Sequence, residues 1–292
     1  MGLLDGKVAL VTGAGGGLGR AHAMLLAAEG ASVVVNDLGG ARDGSGSGSA
    51  MADEVVREIT ETGGKAVADY GSVSSSEDAA AMVHAAVSHF GQLDICINNA
   101  GILRDKSFKN MTDEMWDIVV DVHLRGTYLV TKAAYDQMLL QESGGRLILT
   151  SSTSGLLGNF GQTNYGAAKA GIAGLMRCLA LEGVKYGVTV NLLAPAAYSR
   201  LTDDLMPEAA ADPLAPEKVS PAVVWLCSDE AAGVTGRIFA VGGNVVSLLA
   251  WQAVPIARRS NDEAPWGVAE VGERIKASVA EWPDPVTFQS LA

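Results

Sequence analysis

Short, wholly apolar runs alternate along this chain with longer stretches in which apolar residues recur every three or four positions. Val8–Val11 is the first such run, followed by glycines and a helical pattern through Gly19–Glu29. Ala31–Asn36 is the next strand, and Ser74-Ser-Ser-Glu77 offers a capping box for a helix to about Phe90. Leu93–Ile97 then predicts a strand, and Thr112 an N-cap for one long helix to about Leu140. Leu147–Thr150 and Val188–Leu193 are further strands with a helix between them, and Ile238–Val241 is expected to be the last. Apolar strands separated by helices imply a parallel sheet covered on both faces. Right-handed crossovers then give an α/β, doubly wound, Rossmann-type fold, with ligands at the C-terminal ends of the strands.

With no second hydrophobic core and no repeat, residues 1–250 read as one domain and 251–292 as a C-terminal extension packed on it or on a neighbouring subunit. Two segments exceed the minimal unit. Gly39–Ser49 is a Gly/Ser loop, read as a surface insertion in preference to a binding element. The extension carries three of the five tryptophans, so docking is expected, with Val268, Val271, Ile275 and Val279 forming one buried helical stripe.

The formal charge of −12 over 292 residues disfavours nucleic acid and anionic membranes as partners. It leaves an anionic small molecule possible, since a helix N-terminus binds phosphate locally. No apolar run reaches spanning length, the amino terminus lacks a secretory h-region, and position six is Gly6 where a myristoylation signal needs Ser or Thr. Cys96, Cys178 and Cys227 read as buried small hydrophobes, and neither they nor the four histidines have metal-site spacing. The expectation is a soluble, cytoplasmic protein without a metal.

Against that background, Ser152, Tyr165 and Lys169 stand out. Tyr165 and Lys169 are four apart and share a helix face, while Ser152 ends an apolar strand. A phenol titrates near pKa ~10, and an adjacent ammonium is expected to lower it towards the working pH of a base. The pair alone also reads as an ordinary surface contact. Thr12-Gly-Ala-Gly-Gly-Gly-Leu-Gly19 lies between a strand and a helix, where Gly13, Gly17 and Gly19 allow a tight turn and close approach of a pyrophosphate. Asp37 ends the second strand, placed to accept hydrogen bonds from a ribose diol and to repel a 2′-phosphate; this favours NAD, with Arg42 nearby keeping NADP open. Asn98-Asn99-Ala100-Gly101 ends the Leu93–Ile97 strand, either as a ligand-edge anchor or as a plain turn.

In this order these motifs resemble the short-chain dehydrogenase/reductase family over about residues 5–250. Val35–Gly40, Gly101–Asp105, Asp121–Gly126, Gly158–Gln162 and Trp225–Cys227 are similar to its (3R)-hydroxyacyl-CoA dehydrogenase subgroup. The resemblance implies an NAD-dependent enzyme interconverting a secondary alcohol and a ketone. Tyr165 would take the hydroxyl proton, Lys169 support the phenolate and Ser152 hold the substrate oxygen. It further implies cofactor contacts from Gly13, Gly17, Leu18, Gly19, Asp37, Asp69, Tyr70, Asn99, Ala100, Gly101, Tyr165, Lys169, Ala197 and Tyr198, and a homodimer or homotetramer. Two positions depart from the broad family: His123 replaces its usual Asn, as in the subgroup, and Pro195-Ala196 replaces Pro-Gly. His123 is a candidate for a proton relay or a core histidine. An acyl-CoA is the expected substrate. A free hydroxysteroid, an NADPH-linked 3-oxoacyl carrier-protein reduction and a silent binding protein are the other readings, and Leu156, Leu157, Phe160 and Met206 could line a large apolar pocket or belong to the core.

Overall fold

Eight strands build the sheet in the computed structural model, which describes residues 2–199, 207–260, 262–284 and 286. They are β1 (Val8–Thr12), β2 (Ser32–Asn36), β3 (Lys65–Asp69), β4 (Ile95–Asn98), β5 (Gly145–Thr150), β6 (Val188–Ala196), β7 (Ile238–Gly242) and β8 (Val245–Leu249). Their order is β3-β2-β1-β4-β5-β6-β7-β8, parallel throughout except for β8, which runs antiparallel to β7. The order reverses direction between β1 and β4, and the crevice outside those two C-terminal ends is where such a sheet binds ligands.

Alternate strand residues serve two cores. Val11, Val33, Val35, Ile97 and Leu193 pack beneath α1 (Gly17–Ala28), α2 (Ala50–Glu61) and α8 (Ser220–Leu226). Leu10, Val34, Cys96, Leu147 and Leu192 pack beneath α3 (Ser76–Phe90), α5 (Gly126–Gln141) and α7 (Thr163–Gly183). Burial on both faces explains why the central strands read as continuous apolar runs.

Several expectations need correction. Strand β3 was not anticipated: it is an edge strand with no fully buried residue, so its apolar signal is weak. Strand β8 was also missed, because Gly243-Asn244 reads as a chain break yet forms a two-residue hairpin loop, with Gly243 at φ 55°. The capping box is displaced by one residue: Ser75 accepts from the Asp78 N–H, and the Asp78 carboxylate turns to the Ser72 N–H. Thr112 caps its helix as expected, accepting from the Met115 N–H. That helix is not continuous, however: α4 (Asp113–Val120) passes through a π-helical turn at Asp121–Arg125 before α5 begins. Cys178 is exposed, whereas Cys96 and Cys227 are buried.

The Gly/Ser loop is pinned rather than free. The Leu103 N–H donates to the Arg42 carbonyl (3.1 Å) and the Arg104 Nε to the Asp43 carbonyl (2.7 Å). In the extension, the Arg177 guanidinium on α7 stacks on Trp251, 3.4 Å from the ring centre. The expected apolar stripe on α9 (Val268–Ser278) is not buried within the chain, since α9 buries no residue and Val268 and Val279 are both exposed. Among the described residues no helix is long and apolar enough to cross a membrane.

Candidate active site

The glycine turn after β1 is fixed by the end of β4. The Asn99 amide donates to the carbonyls of Thr12 (3.1 Å) and Gly13 (3.0 Å), and Thr12 Oγ1 accepts from the N–H groups of Asn99 and Ala100 (3.0 and 3.1 Å). Asn98 faces the other way, donating to Thr131. Gly13 has φ 62°, and a Cβ there would come within 2.7 Å of the Ala100 Cα; one on Gly19 would meet the Gly13 carbonyl at 2.2 Å. Gly16 precedes α1 without any side-chain cap, so the first-turn N–H groups are open to an anion.

A cleft of about 250 Å³ opens over this turn, lined by Gly13, Gly17, Leu18, Asp37, Asn99 and Ala100 together with Gly101. Gly40, Ala41 and Gly44 also line it, so the Gly/Ser loop belongs to the site and is not a bystander insertion. Only short residues allow that approach: a Cβ on Gly44 would sit 3.1 Å from Ile102 Cδ1. Asp37 is 9% exposed, accepting from the Gly15 N–H (2.8 Å) through one oxygen and the Gly39 N–H (2.7 Å) through the other. A carboxylate has about four acceptor positions, which leaves two for hydroxyls. An uncapped helix N-terminus, a glycine cradle and a buried carboxylate at the far end fit a dinucleotide.

Four expected cofactor residues, Gly19, Asp69, Tyr70 and Tyr198, line neither this cleft nor the one beside it. Gly19 shapes the turn without lining the cleft. Asp69 accepts from the Asn36 amide (2.7 Å) and the Gly71 N–H (3.0 Å), and the Tyr70 hydroxyl donates to Asp53 (2.5 Å). The wall there is made by Gly71, Ser72 and Val73.

Next to this cleft, and sharing Leu18, Asn99 and Gly101 with it, lies a second of about 410 Å³. It brings together His123, Ser152, Tyr165 and Lys169, with Pro195, Ala196 and Ala197 beyond. Tyr198 does not line it; its N–H is tied to the Leu214 carbonyl (2.7 Å). Ser199, which lines both clefts, was not anticipated. Of the apolar candidates Leu157 lines the cleft, Leu156 packs on the α3/α5/α7 core, Phe160 is exposed and Met206 lies outside the described residues.

Ser152 follows β5 and caps α6 (Thr153–Leu157), accepting from the Ser154 N–H (3.1 Å). Buried Ser151 donates to the Lys169 carbonyl (2.7 Å), fastening α7 to the sheet edge. Asn164, fully buried, donates to the carbonyls of Arg104 and Met115 (3.0 Å each) and accepts from the Tyr165 N–H (2.8 Å). This residue sets the first turn of α7, yet as one polar residue in a helix start it gave no sequence signal.

Lys169 is 3% exposed, with its Nζ 5.6 Å from the centre of the Tyr165 ring and donating to the Thr150 carbonyl (2.6 Å). Burial pulls the Lys169 ammonium down to about 7. The Tyr165 phenol moves opposite to expectation: burial pushes it up to about 12, with a hydrogen bond to Ser152 lowering it in part and the Asp105 charge adding to the rise. The cation expected to acidify the phenol is itself desolvated, so removal from water decides both values.

His123 sits in the π-helical turn, 2% exposed, with Nε2 2.8 Å from the Ile102 carbonyl oxygen. The Ile102 N–H stands 3.2 Å from the same Nε2, so Ile102 partners this nitrogen in either tautomer, while Nδ1 is buried and without a partner among the described residues. Burial, and then the Lys169 charge, hold this imidazole neutral. π-Helical turns recur at functional sites because they re-aim side chains.

The family model described as "short chain dehydrogenase" matches residues 7–210. The chain belongs to the short-chain dehydrogenase/reductase family. It is 49% identical over 274 residues to the peroxisomal multifunctional enzyme type 2 of Mus musculus, covering 93% of this chain but 37% of that enzyme. It therefore spans little more than a third of that relative. It is 44% identical over 286 residues to the hydroxyacyl-CoA dehydrogenase ChsB1 of Mycobacterium tuberculosis, covering 94% of this chain and 88% of the other. A short chain dehydrogenase from Mycobacterium paratuberculosis, solved bound to NAD, superimposes with a TM-score of 0.75 at 28% identity, covering 83% of this chain and 98% of that one. This short-chain dehydrogenase/reductase is thus an oxidoreductase of small molecules that uses a nicotinamide cofactor.

Proposed function

We propose that the chain oxidises (3R)-3-hydroxyacyl-CoA thioesters to 3-oxoacyl-CoA with NAD. The observation that carries this reading is the arrangement of Ser152, Tyr165 and Lys169 in one cleft, opening beside a dinucleotide cradle that ends in Asp37. The name of one relative above, the hydroxyacyl-CoA dehydrogenase ChsB1, supplies the thioester.

The glycine turn and the first turn of α1 would hold the pyrophosphate, Asp37 the adenosine ribose and Lys169 the nicotinamide ribose. When bound, an oxidised nicotinamide supplies a hydride acceptor and a positive charge. The chain's own part is proton handling. Ser152 donates to the substrate oxygen, Tyr165 as the phenolate takes the hydroxyl proton on Oη and becomes a neutral phenol as the C–O bond gains double-bond character, and Lys169 stabilises the phenolate before that transfer. The negative charge at Asp37 opposes a 2′-phosphate, which favours NAD over NADP.

The test is the near-ultraviolet absorbance of reduced cofactor, followed with a panel of hydroxyacyl-CoAs and free hydroxysteroids, each with NAD and with NADP. Turnover of the thioesters with NAD supports the reading, and a clear preference for free steroids overturns it.

The working form we take to be a homodimer or homotetramer in the cytoplasm. Leu140 on α5 and Leu181 on α7 are 78% and 81% exposed, apolar surface that a second copy would cover. Three free cysteines suit a reducing compartment. A monomer by light scattering, or recovery in an oxidising compartment, contradicts this.

A further inference from the structure

Two segments are clamped together beside the substrate cleft. The Lys106 N–H donates to the Gly161 carbonyl (2.8 Å), Lys106 and Gln162 form a parallel bridge, and the Gln162 amide donates to Asp105 (2.6 Å). Asn164, next to Tyr165, holds the Arg104 carbonyl (3.0 Å). Residues 104–110 and 158–162 thereby form one rim fixed to the start of the catalytic helix, and Gly158, Asn159 and Gln162 of that rim line the cleft.

What the rim presents outward has no explanation in the fold. Phe160 is 91% exposed and Phe108 74%, two large rings bare on the rim. The same rim carries the exposed Lys106 and Lys109, neither with a carboxylate partner among the described residues. Residues 104–110 hold Arg104, Lys106 and Lys109 against Asp105, a local charge of +2 on a chain of −12. Bare aromatics beside unpaired cations suit a ligand with apolar and anionic parts.

We propose that Lys106, Phe108, Lys109 and Phe160 seat the CoA portion of the substrate, the two ammonium groups on its phosphates and the rings against its pantetheine arm. This rests on the hydroxyacyl-CoA dehydrogenase reading and assigns the specificity for the carrier to residues outside the reacting set. An acyl chain alone, or a free sterol, offers no anion to the lysines.

The experiment compares (3R)-3-hydroxyacyl thioesters of CoA and of pantetheine, the latter lacking the nucleotide phosphates, on the full chain with saturating NAD. The double variant Lys106→Glu/Lys109→Glu is expected to raise KM for the CoA ester about tenfold, as two exposed ion contacts are lost and reversed. Its KM for the pantetheine ester and its kcat on either should move less than about twofold by the same reckoning. Phe160→Ala should raise KM for both esters by a similar factor. Because it needs no variant, a salt titration of the wild type stands beside these: KM for the CoA ester rises with NaCl and that for pantetheine does not. Equal wild-type KM for the two esters, or a double variant that weakens both alike, overturns the rim assignment and leaves the dehydrogenase reading standing. Absence of turnover on every thioester overturns both.

Discussion

His123 and Tyr165 meet edge to face, their ring centroids 5.0 Å apart and their planes at 89°. The contact joins the π-helical turn to the catalytic helix, so the imidazole supports the phenol ring while its own Nε2 holds the Ile102 carbonyl. Gly101 makes room for it: a Cβ there would lie 2.4 Å from His123 Cε1. With Nδ1 buried and without a partner among the described residues, one further hydrogen-bonding group, such as a water from the cleft, completes the ring's hydrogen bonding. His123→Asn, which keeps an acceptor, is expected to hold kcat within about threefold. His123→Leu should lose about a hundredfold, the low end of a proton-transfer contribution. Equal kcat for both variants would leave His123 with a packing role alone.

Tyr165 and Lys169 are predicted to separate chemistry from folding. Tyr165→Phe removes the proton acceptor and should lower kcat by about a hundredfold or more, with NAD affinity kept. Lys169 carries a different signature. Its amine falls to about 7 in the fold and sits near 10.5 in the unfolded chain, so between these values the unfolded state binds the extra proton. Its contribution to stability therefore rises with pH from about 7 to about 10. Urea denaturation of the wild type and Lys169→Met should show this rise in the wild type and lose it in the variant; parallel curves would refute the depressed amine.

Asp37 joins cofactor choice to loop position. Its two oxygens receive the N–H groups of Gly15 and Gly39, one from the glycine turn and one from the loop over the cleft. Asp37→Ala should weaken NAD by about tenfold, the worth of a charge-assisted hydrogen bond, and narrow the gap between NAD and NADP by removing the repulsion. Fluorescence titration with both cofactors checks this. An unchanged ratio of the two affinities would mean that another residue reads the ribose.

How much of this was legible follows from what each residue must do. Gly13, Asp37, Asn99 and the Ser152–Tyr165–Lys169 spacing could be read because a close backbone approach or a reacting group admits few residue types. Strand β3 could not, since an edge strand buries too little to show a clear pattern; Asp69 and Tyr70 came from the resemblance alone, and the residues that follow them form the cleft wall. The π-helical turn at His123 was invisible because its sequence keeps ordinary helical spacing. Asn164 and the pinned Gly/Ser loop depend on partners about sixty residues away, Arg104 for both, and no local pattern reports such contacts. The α9 stripe was a sound helix reading but a wrong burial reading, because amphipathic spacing says which face is apolar and not what covers it.

The last prediction concerns a histidine remote from the reacting groups. His22 on α1 is fully buried, its Nδ1 2.8 Å from the Ser220 hydroxyl on α8 and its Nε2 without a partner among the described residues. Burial lowers its pKa from 6.5 to about 4, so the folded chain keeps the ring neutral where the unfolded chain protonates it. With the folded value depressed, its contribution is fully present above about 6.5 and is lost as pH falls towards 4. The drop is worth about 3 kcal/mol for a shift of this size. His22→Gln keeps a polar partner for Ser220 and does not titrate. Its unfolding free energy should therefore fall less steeply than that of the wild type between pH 6.5 and pH 4. Chemical denaturation across that interval decides the matter: identical slopes would show that His22 is already accessible to protons in the folded state and that the α1–α8 contact is looser than its geometry implies.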